Sequence, residues 1–143
     1  MKHGFAPGKD WKYGAAPFSY GYKEAGTELT HMRSNHSALY LTREFEVENA
    51  DYISEIGIMA RYDDAFIAYL NGHEVVRKSV GKGAGKDAKE IKAGAWTEKY
   101  RYFPLKDFEK HLKDGPNVLA IEGHNHTKES SDFLLDPFLV IED

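Results

Sequence analysis

The chain contains no cysteine, which excludes disulfide staples, a thiolate nucleophile and Cys-ligated zinc together. It also lacks any run near the ~20 consecutive apolar residues that a membrane-crossing helix needs, and the residues behind Met1 and Lys2 form no apolar signal core. A field of one charge sign is missing as well. The 19 Lys and Arg are interspersed with 23 Asp and Glu, for a formal net charge of −4, so no basic stripe is available to displace counterions from a nucleic acid. Neither a membrane nor a nucleic acid is expected as a partner.

What the sequence does contain is a period-two pattern. From Ala38 onward, Leu39, Leu41, Phe45 and Val47 alternate with Tyr40, Thr42, Glu44 and Glu46, the signature of a strand with one buried face. Arg43 falls in the apolar phase, so it is expected to be buried and paired with Glu122 or with an aspartate of the Asp63-Asp64 pair. Ile56, Ile58 and Ala60 repeat the alternation, and Asn71-Gly72 between two β-prone runs marks a hairpin turn. Residues 78–95 carry Gly81, Gly83, Gly85 and Gly94 among lysines and few bulky groups, which predicts a solvated, mobile loop. The stretch Gly81 to Asp87 is no phosphate-binding loop, because Asp87 stands where Ser or Thr must follow Lys86.

Phe108 and Leu112 are spaced for one or two helical turns, and 117–124 and 133–141 are further strands. Six or more short strands with one short helix predict an all-β chain, a β-sandwich of jelly-roll type. Its 143 residues suit one module. Residues 1–37 form an irregular lead-in rich in Gly and aromatics, and residues 38–143 form the sandwich core.

The order of these motifs resembles a known family. Tyr40 to Val47, Asp63-Asp64-Ala65, Tyr69 to Val75 and Gly115 to Glu122 are similar to segments of galactose-binding-like jelly rolls, including the sugar-binding domain of family 2 glycoside hydrolases. Trp11, Pro17, Phe18, Tyr20 and Gly21, with Ser130-Ser131-Asp132, resemble a pattern in accessory modules of secreted bacterial metallophosphoesterases. The resemblance implies a non-catalytic carbohydrate-binding module attached to a catalytic domain, extracellular or periplasmic. It requires no cofactor and allows a structural calcium.

For ligand contact the candidates are Trp96, Tyr100 and Tyr102, whose flat rings suit the apolar C–H face of a pyranose, with His124 and His126 as polar partners. Trp96, closing the glycine-lysine segment, is expected to be exposed. Asp63, Asp64, Glu122, Asp132 and Asp136 are the candidate oxygen ligands for calcium. In an extended strand the Asp63 and Asp64 side chains point to opposite faces, which argues against a paired-carboxylate glycosidase. Two alternatives stay open: a structural or protein-interaction module, and a small cupin-like metal enzyme built on His124-x-His126. Against the latter, Glu129 follows His126 by only three residues.

Overall fold

The computed structural model describes residues 11–23, 26–85, 88, 90–127 and 129–143. The start of the lead-in, residues 1–10, and Lys86-Asp87 lie outside the described residues. The strands are β1 (Phe18–Tyr20), β2 (Thr27–Glu28), β3 (Ala38–Val47), β4 (Glu55–Asp63), β5 (Ala65–Leu70), β6 (His73–Lys78), β7 (Ala95–Pro104), β8 (Gly115–His124) and β9 (Phe133–Glu142). They form a five-stranded sheet in the order β2-β1-β9-β4-β7 and a four-stranded sheet in the order β3-β8-β5-β6. The two sheets pack face to face as an all-β sandwich.

Alternation dictates what lies between the sheets. Ile56, Ile58, Ala60 and Tyr62 of β4 meet Phe66, Ala68 and Leu70 of β5, and Leu119, Ile121, Phe133 and Leu135 complete the core. Tyr62, Phe66 and Phe103 meet edge to face, with centroids 5.1 to 6.0 Å apart, the arrangement that ring quadrupoles favour. At the β5–β6 turn Asn71 and Gly72 take φ of 50° and 85°, the left-handed pair that a tight two-residue hairpin requires.

Three expectations need correction. The lead-in is not wholly irregular, because β1 pairs with β9 and carries β2 beside it. The short helix expected at Phe108 is present as a 3-10 turn, Phe108–Lys110, and is not among them. The described residues of 79–94 are not a free loop: Val80 bridges Ile91, and the Arg77 guanidinium donates to the carbonyls of Gly81 and Gly83. Val80, Ala84 and Ile91 pack on Ala65, Ile67, Tyr69 and Ala120, so the segment straps the outer face of the four-stranded sheet. Finally, Arg43 is exposed. It keeps the apolar phase, but β3 is the edge of its sheet, and a long side chain there reaches around the edge to water.

Candidate ligand-binding face

The outer face of the five-stranded sheet is built on β4, where Gly57, Met59 and Arg61 alternate outward. Met59 lies opposite Tyr102 on one side and Phe138 on the other, and Arg61 lies opposite Asp136. Gly57 makes room for a ring on this surface. A Cβ built there falls 2.3 to 2.4 Å from the Tyr102 ring, so the ring rests where any other residue would put a side chain. Tyr102, Tyr100 and Phe138 are 36%, 39% and 46% exposed. Tyr100 meets Phe138 edge-on with centroids 5.1 Å apart.

Polar groups are fixed beside these rings. Arg61 Nε and Nη2 donate to Asp136 Oδ2 at 2.9 and 2.6 Å, and Tyr100 Oη donates to the same oxygen at 2.5 Å. The Arg61 guanidinium also lies 5.0 Å above the Tyr100 ring. The hydrogen bond to Asp136, then burial, raises the Tyr100 hydroxyl above its ordinary pKa. The strip ends in a groove of about 280 Å³ lined by Tyr22, Lys23, Arg61, Thr97 and Leu134. A second hollow, of about 490 Å³ and containing Glu46, Tyr52 and Ile141, lies at the other end of β4.

Behind the groove sits a carboxyl cluster. Tyr22 Oη donates to Asp63 Oδ2 at 2.5 Å, and the Asp63 carboxyl also touches those of Asp64 and Asp132. Burial first, and then the contact with Asp64, push Asp63 up to about 8, against the opposing pull of the Tyr22 hydroxyl. Adjacent carboxylates cannot all ionise, so Asp63 holds a shared proton. Asp64 is spent on the backbone, accepting from His126 N at 2.7 Å and Gly94 N at 3.2 Å. The Asp63 and Asp64 carboxyls therefore meet instead of diverging as expected.

No protein family, characterised protein or solved structure matches the chain. The sequence candidates must be judged by where they lie. Tyr100 and Tyr102 share the outer face just described. Trp96 does not join them: it lies opposite Tyr62 and packs against the core, with Lys99 and Arg101 over its ring at 6.0 and 5.1 Å. His124 is buried on the other sheet, its Nε2 2.9 Å from Glu122 Oε1. His126 follows β8, with its side chain exposed.

The five proposed calcium ligands do not converge. Asp136 serves Arg61 on one sheet, Glu122 lies beneath the strap on the other, and Asp63, Asp64 and Asp132 cluster at the end of β4. Among the described residues no three His, Asp or Glu are arranged to hold a metal. The Glu122 carboxylate is instead enclosed by the protein's own donors: Gly85 N at 2.7 Å, His124, and Tyr69 Oη at 3.2 Å. Burial alone would raise Glu122, but these donors together hold it below the ordinary carboxylate value. Sequence reading missed Phe138 and the Arg61–Asp136 pair. The run from Phe133 to Ile141 is almost unbroken in apolar residues, so alternation could not say which of them face outward.

Proposed function

We propose that the chain is a non-catalytic carbohydrate-binding module whose ligand lies on the outer face of the five-stranded sheet. The observation that carries this reading is the Tyr102 ring lying against Gly57, in the space a side chain would otherwise fill. A pyranose presents an apolar C–H face to such a ring, while its hydroxyls need charged or hydroxylic partners at the rim. Arg61, Asp136 and Tyr100 Oη supply those partners, already fixed by one another, so little ordering entropy is lost on binding. The sequence resemblance to galactose-binding-like modules points to the same ligand class, and to a parent chain in which this module accompanies a secreted catalytic domain.

A binding role is favoured over catalysis by the state of the titratable groups. Asp63, Glu122 and His124 are buried and engaged by the protein's own donors, whereas a general acid or base must reach a substrate proton. A glycan array followed by calorimetry tests the reading. The wild-type chain binds at least one glycan class, and Gly57→Val, whose side chain evicts the Tyr102 ring, does not. An array blank for the wild type, or binding untouched by both Gly57→Val and Phe138→Ala, overturns it. One feature favours a protein ligand instead: Phe138 and Ile141, 46% and 39% exposed, carry no polar handle. In that case the array is blank.

A further inference from the structure

We infer that the outer edge of β3 is a latent self-association surface, its partner a second copy of this chain, and that Arg43 keeps it shut. The two sheets have four edges, formed by β2, β7, β3 and β6. β2 is only two residues long. The β7 ladder shifts register between Ala60 and Tyr62, and the β6 ladder between Ala68 and Tyr69, and such bulges spoil an edge for further pairing. β3 runs for ten residues in unbroken register with β8. No strand flanks its other side among the described residues.

This edge is also apolar. Leu39, Leu41 and Phe45 pack against the core yet remain only half-buried, the combination that makes an open edge a pairing template. Arg43 interrupts them. It shares their phase and lies opposite Leu119 of β8, so no acid faces it across the ladder. At the edge its guanidinium escapes to water. Were a second β3 added, the strand would become interior, and a charge on its core side would be enclosed without a counterion, which disfavours the pairing.

The other charges reinforce this. Glu44 and Glu46 lie opposite Val118 and Pro116, again with no base across. For two sandwiches to share a sheet with like faces together, paired residue numbers must sum to an even number. Pairings centred on Arg43 or Glu44 then set like charges directly opposite each other. A pairing centred on Thr42 avoids that clash but still encloses Arg43. The arginine therefore guards every such register, and the acids guard some of them.

Light scattering on the full chain, from micromolar to near-millimolar concentration, tests the inference. Wild type and Arg43→Lys run as monomers, and Arg43→Val, a change that favours strand formation, runs at the mass of two chains. Should Arg43→Val lose its β-type circular dichroism, Arg43→Thr replaces it. Because the chain has no cysteine, a nitroxide on Thr42→Cys in the dimerising background reports whether two β3 strands are neighbours. A monomeric Arg43→Val and Arg43→Thr, a wild type that already pairs through β3, or a dimer whose labels lie far apart overturns it.

Discussion

The two outer faces of the sandwich have opposite fates. That of the four-stranded sheet holds Glu122 and His124 beneath a strap that packs through Val80, Ala84 and Ile91, and Glu122 is 0% exposed. That of the five-stranded sheet carries the rings and is left open. Burying a carboxylate is tolerable only when every lone pair is met, and the strap supplies one of the needed donors through Gly85 N. Exposing aromatic rings is tolerable anywhere but leaves apolar area unused, which is what a ligand face offers. The comparison teaches that the buried carboxylate and imidazole mark the sealed face here, and the exposed rings the open one.

Glu122→Ala is the strongest test of that division. It strands His124, the Tyr69 hydroxyl and Gly85 N beneath the strap, and removing one member of a buried pair costs about 3–5 kcal/mol. Denaturant unfolding measures the loss. If the mutant unfolds like wild type, the cluster is not structural and the division collapses. Gly57→Val comes next, on the other face. The valine overlaps the Tyr102 ring, and overpacking of this kind costs about 1–3 kcal/mol. Ligand binding is lost together with that stability.

Asp63 sharpens the comparison at the end where both faces meet. In the unfolded chain it ionises around 3.8, and in the folded chain at about 8. Between those values the folded state binds the extra proton, so this stabilisation is complete below pH 4 and is lost as pH rises through 8. Asp63→Asn mimics the protonated acid. Its melting temperature should stay level from pH 5 to 9 while that of wild type falls from pH 5 to about 8 and levels off above it. Parallel curves for the two proteins would place the proton elsewhere.

How much of this was legible in the sequence depended on whether local pattern or distant pairing decided each feature. The sandwich was legible because alternation in 39–47 and 56–60, and the Asn71-Gly72 turn, are local signals. Tyr100 and Tyr102 were legible as candidates, being aromatic at period two. Arg43 and Trp96 were misread because exposure depends on a strand's place in its sheet: β3 lies at an edge, where an inward-phase arginine escapes, and Trp96 lies opposite Tyr62. The strap was misread because glycines and lysines resemble a solvated loop until a buried carboxylate is there to take the Gly85 amide. Gly57 gave no signal at all. Its role exists only because Tyr102, 45 positions later, folds onto it.

Tyr102→Ala should have the smallest effect on stability and separates the two faces most cleanly. The ring is 36% exposed and lies on Gly57 rather than in the core, so its removal forfeits only part of the burial free energy of an aromatic side chain, about 1 kcal/mol. Its removal from a stacking face, in contrast, takes away the surface a pyranose would cover, and binding should fall below detection in calorimetry while the melting temperature barely moves. Phe138→Ala should show the same pattern in weaker form, since Phe138 borders the strip and meets Tyr100 only edge-on. A mutation on the strapped face shows the reverse, with a large loss of stability, and in the surviving folded fraction the ligand still binds. If Tyr102→Ala instead melts many degrees lower with its affinity intact, the ring is a structural cover for Gly57, and the ligand face must be sought at the hollow around Tyr52 and Ile141.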